Sequence, residues 1–100
     1  MLLRSVALAC AALVLTAIPA SAAAFKTVTV GDNYFRSAVK HVKPGTRIVW
    51  VNKGNRYHTV TTRGWSVVLR PGEHFSRRVT HGFRYVCTYH GSMAGRVAVK

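Results

Sequence analysis

Short runs of β-branched and aromatic residues, separated by glycine, proline and asparagine, repeat along the chain from residue 25 onward. No segment shows the apolar spacing at i, i+3, i+4 and i+7 that is typical of an amphipathic helix. Alternating apolar and polar positions instead predict β-strands. The predicted strands are Phe25–Val30, Thr46–Asn52, 58–62, 73–80, 83–87 and 95–100, with a shorter strand within 34–42.

Turn-forming residues punctuate these runs at regular intervals, at 31–33, 43–45, 53–55, 70–72 and 81–82. Many short strands with evenly spaced turns are typical of a sandwich of two packed sheets. The pattern therefore predicts an all-β fold with one domain over residues 25–100. We find no internal repeat or low-complexity tract.

The period-two rule assigns faces to the residues near the C-terminus. Phe83, Tyr85 and Cys87 share one face of the fifth predicted strand, which we expect to point into the apolar interior. Arg77 interrupts the inward face of the fourth predicted strand, between Phe75 and Val79. A β-bulge and a snorkelling arginine stem are both compatible with that pattern.

Residues 1–24 have the features of a secretory signal peptide, with Arg4 before an apolar stretch at 6–18 and small residues at 20–22. We expect cleavage around residues 22–24, after Ala22. A membrane anchor is the alternative, but the apolar run is shorter than the roughly 20 residues needed to span a bilayer. Lipidation at Cys10 is less compatible with the residues before it. These features predict export to the periplasm or to the cell surface.

Cleavage after Ala22 would leave about 78 of the 100 residues, enough for one small domain. A domain of that size buries only roughly 60% of its unfolded surface, so a cross-link or a metal would help to stabilise it. Cys87 is the one cysteine downstream of the predicted signal, so no intrachain disulfide can form. A lone cysteine in an oxidising compartment is buried, reactive, intermolecular or ligated to a metal.

The chain is strongly basic, with 15 lysines and arginines against Asp32 and Glu73 and a formal net charge of +13. Such a charge favours acidic partners. Export argues against nucleic acid, which leaves acidic redox proteins, anionic membranes or acidic wall polymers. Solubility alone is an equally good explanation of the charge.

One seven-residue segment carries a cysteine, a histidine and a methionine at equal spacing, Cys87, His90 and Met93. A thiolate, two imidazoles and a weak thioether are the ligands of blue-copper electron-transfer sites, and His58 can supply the second imidazole. Zinc also binds thiolate and imidazole, but a thioether is a poor fourth ligand for zinc. Each three-residue step would span about 10 Å if extended, so the loop must curl to bring its ligands together.

These segments together resemble the cupredoxins. The residues that carry the resemblance lie at 42–45, 50–52, 58–60, 70–73, 85–87 and 95–97, and the Cys-x-x-His-x-x-Met spacing is similar to the copper loop of amicyanins. The resemblance implies a Greek-key β-sandwich with one type 1 copper ion bound by His58, Cys87, His90 and Met93. It also implies that Thr59 ties the two ligand segments together, unless it is simply a strand residue, and that electrons pass through an exposed His90.

Two departures from the family pattern are evident. The segment between His58 and Cys87 is short, and Ser37 stands where many relatives carry proline. His41, His74 and His81 lie outside the motif and are expected to be solvated.

The sequence therefore predicts a monomeric, exported copper protein that carries single electrons between redox partner proteins with acidic docking surfaces. It is not expected to be an enzyme, because it offers only two carboxylates and a saturated set of metal ligands. Two alternatives remain open at this point. The same ligands would serve a copper-storage or copper-delivery protein, and a degenerate site would leave a metal-free basic module that binds acidic surfaces.

Overall fold

The computed structural model describes residues 24–100. The predicted signal peptide and its cleavage site therefore lie outside the described residues, apart from Ala24. Nine strands follow one another: β1 Phe25–Val30, β2 Phe35–Arg36, β3 Val39–Val42, β4 Thr46–Asn52, β5 His58–Thr61, β6 Ser66–Leu69, β7 His74–Val79, β8 Phe83–Val86 and β9 Ala94–Val99. Within this described range there is no helix that could cross a membrane. The prediction of an all-β fold is confirmed.

The strands form two sheets, ordered β2-β1-β4-β7 and β3-β9-β8-β5-β6. β1 runs parallel to β4 in a register that ends with Val30 beside Asn52. This pairing places the turn after β1 next to the loop after β4. β8 and β9 are antiparallel neighbours, so the loop between them emerges at one end of the second sheet.

The core lies between the two sheets and is built around Trp50, which is fully buried. Its indole packs edge-on against Tyr85, with ring centroids 5.6 Å apart, and stacks on Phe75 at 5.8 Å. Trp65 and Phe83 complete this aromatic cluster. Aromatic pairs in these orientations are worth about 0.5–1.5 kcal/mol beyond the area that they bury. The cluster holds β4, β7 and β8 in fixed relative positions.

Two details of the predicted strand pattern are wrong. The predicted strand within 34–42 is two strands in different sheets, since β2 pairs with β1 whereas β3 pairs with β9. β6 was not predicted, because its four residues lack a clean alternation and gain their strand geometry from pairing with β5.

Arg77 lies in the regular antiparallel pairing of β7 with β4. It lies opposite Ile48, which is fully buried, so both side chains occupy the inner face and β7 has no bulge at this point. β7 is an edge strand, and the guanidinium of Arg77 lies over the ring of Trp65, 4.7 Å from its centroid. The arginine thus covers the edge of the aromatic cluster while its charge stays near solvent.

Candidate metal centre

Three potential metal-binding side chains meet at one end of the sandwich. His58 begins β5, Cys87 follows the last residue of β8, and His90 lies in the loop between β8 and β9. Their ligating atoms all lie within 4.8 Å of one another. His58 and Cys87 are fully buried, whereas His90 is partly exposed. Residues from a strand start and from a separate loop therefore form one cluster.

The loop from Cys87 to Met93 curls through hydrogen bonds of its own backbone. The amide of His90 donates to the carbonyl of Cys87 at 3.2 Å, and the amide of Met93 donates to the carbonyl of His90 at 2.9 Å. The amide of Cys87 in turn donates to the carbonyl of Met93 at 3.0 Å, which closes the loop. Met93 is buried in the core at 1% exposure. The structure thus brings together three of the four predicted ligands, His58, Cys87 and His90. The fourth, Met93, is buried at the end of the same loop.

The Cys87 sulfur has two specific polar neighbours. The amide of Thr59 donates a hydrogen bond to Sγ at 3.3 Å, and Nδ1 of His58 lies 3.7 Å from Sγ. A backbone N–H directed at a potential metal-binding sulfur fixes the orientation of that side chain. Burial also excludes water from the sulfur, as the shared face of Tyr85 and Cys87 predicted.

Thr59 ties the two ligand segments together. Its hydroxyl oxygen accepts a hydrogen bond from the amide of Thr88 at 2.8 Å and lies 3.1 Å from the Thr88 hydroxyl. The residue after His58 is therefore bonded to the residue after Cys87. The role that the resemblance implied for Thr59 is confirmed. Hydrogen bonds of this kind fix the orientation of metal-binding side chains.

Asp32 is a member of the site that the sequence analysis missed. Its Oδ1 lies 2.9 Å from Nε2 of His58, and the carboxylate also accepts hydrogen bonds from the amides of Asn55 and Arg56. The hydrogen bond from His58 is the main reason why the pKa of Asp32 lies below its usual 3.8, and the Asn55 amide acts in the same direction. Local pattern gives no signal for this contact, since it depends on the parallel pairing of β1 with β4.

The loop between β4 and β5 is shaped to receive this carboxylate. The buried side chain of Asn52 donates to the carbonyls of Arg56 and Leu69, and it accepts from the amide of Gly54. A Cβ atom at Gly54 would overlap with the Asp32 carboxylate. Glycine is therefore required here because the two segments approach closely.

The chemistry of this cluster suits a soft or borderline transition metal. Two imidazoles and one thiolate are ligands that copper and zinc share. Among residues 24–100 this is the group of histidine, cysteine and carboxylate side chains whose geometry can hold a metal ion. His41, His74 and His81 are exposed and lie outside it, as expected for solvated side chains.

Comparison with known proteins gives structural but not sequence matches. No protein-family model matches the chain, and no curated protein matches it in sequence. The structure is similar to that of a reduced amicyanin variant, with a TM-score of 0.69 and 23% identity over 78% of this chain and 83% of that one. It is similar to a purple cupredoxin from Nitrosopumilus maritimus, with a TM-score of 0.66 and 17% identity over 75% of this chain and 99% of that one. An oxidised amicyanin variant gives a TM-score of 0.69 and 20% identity, covering 84% of this chain and 87% of that one.

These similarities establish that the chain has the cupredoxin fold, a sandwich of two β-sheets. Between 83% and 99% of each matched chain is covered, so the similarity extends over the domain and is not confined to one motif.

Proposed function

We propose that this protein is an exported type 1 copper protein that carries single electrons between redox partner proteins. The observation that carries the proposal is the convergence of His58, Cys87 and His90 within 4.8 Å at one end of a cupredoxin fold. Met93, buried at the end of the same loop, is the proposed fourth ligand.

The ligand set favours copper over zinc. Two imidazoles, one thiolate and a weak thioether are typical of blue-copper sites, whereas structural zinc sites prefer a fourth thiolate or imidazole. Bound copper would supply a one-electron couple between Cu(II) and Cu(I). With Met93 as fourth ligand no position is left open for substrate, which favours electron carriage over catalysis.

The chain holds its ligands in a fixed arrangement. His58 and Cys87 are buried, Thr59 bonds both to the sulfur and to Thr88, and the loop to Met93 is closed by its own backbone. A ligand set held in this way changes little between two oxidation states, so little reorganisation accompanies electron transfer. Low reorganisation suits a carrier better than a protein that must release its metal.

His90 is the proposed exit for electrons. It is the partly exposed member of the cluster, and its ring centroid lies 5.0 Å from that of buried His58. A partner that docks over this end of the molecule would approach the site through the His90 imidazole.

The surface beside the ligand loop favours an acidic partner. Val86 and Ala94 are paired next to the loop and are exposed, and the next exposed pair along these strands is Arg84 opposite Arg96. Like charges directly opposite each other on a sheet are destabilising, and neither arginine has a carboxylate partner in residues 24–100. An acidic partner surface would offset that repulsion and bury the apolar pair.

The experiment that tests electron carriage is protein-film voltammetry of the mature chain loaded with one equivalent of copper, combined with metal analysis after repeated cycles. We expect a reversible one-electron wave and full retention of copper. Loss of copper on reduction would contradict the carrier proposal and favour a copper-delivery protein that uses the same ligands.

A further inference from the structure

Asp32 contacts three residues of the segment that contains His58. Its two carboxylate oxygens lie 2.9 and 3.1 Å from the amide of Asn55, and Oδ1 also lies 3.2 Å from the amide of Arg56 and 2.9 Å from Nε2 of His58. All of these contacts are made to the segment that leads into β5 and to His58 at the start of that strand. Asp32 belongs to the turn after β1, which is otherwise separate in sequence from the site.

The two nitrogens of the His58 ring face different groups. Nε2 faces the Asp32 carboxylate at 2.9 Å, and Nδ1 faces the Cys87 sulfur at 3.7 Å. A carboxylate accepts but cannot donate a hydrogen bond, so the neutral ring must carry its proton on Nε2. The Nδ1 lone pair is then free and directed toward the sulfur and the cluster.

We propose that Asp32 is a positioning residue that fixes His58 as the Nε2–H tautomer and, through its negative charge, favours the oxidised state of the bound metal. The proposal rests on the proposed copper site. A carboxylate bonded to the far nitrogen of a metal-binding imidazole makes that imidazole a stronger donor. A stronger donor and a nearby negative charge both stabilise the more highly charged ion, Cu(II), relative to Cu(I).

The chain offers a matched control for this effect of charge. Asp32 and Glu73 are the two carboxylic side chains of the sequence, and both are partly exposed, at 36% and 42%. Glu73 is bonded to Arg70, whereas Asp32 is bonded to His58. Asp32→Asn and Glu73→Gln therefore each remove one negative charge. Asp32→Asn also changes the hydrogen-bond partner of the His58 imidazole, whereas Glu73→Gln does not.

The first experiment compares the midpoint potentials of the copper-loaded wild type, Asp32→Asn and Glu73→Gln at one pH. In Asp32→Asn we expect binding of Cu(II) relative to Cu(I) to weaken by between about threefold and tenfold, which raises the potential by up to about 59 mV for a one-electron couple. For Glu73→Gln we expect a shift of less than about twofold, because the Glu73 carboxylate is bonded to Arg70 and not to a metal-binding side chain, and solvent screens its charge. Equal shifts in the two variants would overturn the proposal.

A second variant moves the carboxylate without removing its charge. Gly54→Ala places a Cβ atom where the Asp32 carboxylate lies, so the carboxylate must shift away. We expect the potential of Gly54→Ala to rise, but by less than in Asp32→Asn, because the hydrogen bond to His58 is disturbed while the negative charge remains. An unchanged potential in a folded Gly54→Ala protein would show that the Asp32 contact does not influence the metal.

The tautomer is measured on the metal-free protein, at a pH at which the His58 ring is neutral, by long-range proton–nitrogen correlation NMR. We expect a single Nε2–H tautomer in the wild type and a mixture in Asp32→Ala. An Nδ1–H tautomer in the wild type would overturn the proposal even if copper binds normally. Failure to bind copper would overturn the proposed function, yet the NMR result would still decide the role of Asp32.

Discussion

At the scale of single residues, some members of the site can be predicted from the sequence and others cannot. Cys87, His90 and Met93 lie in one segment, so their spacing alone indicates a curled metal-binding loop. Asp32 is 26 positions from His58, and its role depends on which strands pair. Residues that support a site from another strand cannot be found from local pattern, because pairing between distant strands is decided by the whole fold.

The two carboxylates make the stability of the folded protein depend on pH in the acid range. The Arg70 amide and guanidinium donate to Glu73 and hold its pKa below its usual 4.5, and the pKa of Asp32 is also lowered. Because these folded-state pKa values are depressed, the contacts contribute fully above the unfolded-state values and are lost as the pH falls through the folded-state ones.

The thermal midpoint of the metal-free protein should therefore fall as the pH drops below 4.5. Thermal melts of the wild type and of Glu73→Gln at neutral pH and at about pH 3 measure this effect. The variant should lose less stability over that interval, since it has no Glu73 proton to gain. An equal loss in both proteins would show that Glu73 contributes nothing to the acid response.

At the scale of elements, the sandwich and most strands follow from alternation and turn chemistry. Phe25–Val30 and Thr46–Asn52 were predicted with the bounds that β1 and β4 have, and in the structure burial alternates along all seven residues of β4. β6 was missed because its four residues depend on β5 for their geometry. Arg77 was left open between two interpretations, and only the position of Trp65, in the loop between β5 and β6, explains its place.

Gly95 illustrates how one position can limit the packing of two strands. It lies directly opposite Tyr85 in the β8–β9 ladder, and an added Cβ atom would come within 2.5 Å of the Tyr85 ring. That ring is buried at 1% exposure within the aromatic cluster and cannot move outward.

Gly95→Ala should therefore lower the free energy of unfolding by about 1–3 kcal/mol, as overpacking does in a close-packed core. Denaturant unfolding of the metal-free protein measures the change. Gly64→Ala is the control, because an added Cβ atom there meets nothing within 4 Å, and its effect should stay within about 0.5 kcal/mol. If Gly95→Ala were as stable as Gly64→Ala, the Tyr85 contact would not restrict this strand pair.

At the scale of the whole molecule, charge is distributed unevenly between the two ends of the sandwich. Asp32 contacts His58, and the Glu73 carbonyl accepts from the Asn52 amide, so both carboxylic side chains lie near the metal end. An open cavity of about 860 Å³ at the opposite end is lined by basic side chains, Lys26, Lys43, Arg78 and Lys100. Composition predicted the net charge, but only the strand register shows where arginines face each other.

Two exposed cross-strand arginine pairs allow a direct test of the proposed docking surface. Arg84 and Arg96 lie beside the ligand loop, whereas Arg47 and Arg78 face each other toward the far end of the other sheet. The reduced copper protein should be oxidised faster by anionic hexacyanoferrate(III) than by a cationic cobalt(III) phenanthroline complex of similar driving force. Added salt should slow the first reaction and accelerate the second.

Charge reversal at each arginine pair tests which surface attracts the anionic oxidant. Stopped-flow rates with hexacyanoferrate(III) should fall more in the Arg84→Glu/Arg96→Glu double variant than in Arg47→Glu/Arg78→Glu, although the net charge changes equally. Equal losses would mean that overall charge, and not the surface beside the loop, attracts anionic partners.

The central claim is that Cys87 and the two imidazoles hold one copper ion in a type 1 site. The most direct test is the visible absorption spectrum of the mature chain with one equivalent of Cu(II), recorded beside that of Cys87→Ser. An intense thiolate-to-copper charge-transfer band that saturates at one equivalent and is absent from the variant is the predicted result. A folded protein that takes up no copper, or whose spectrum is unchanged by Cys87→Ser, would contradict it.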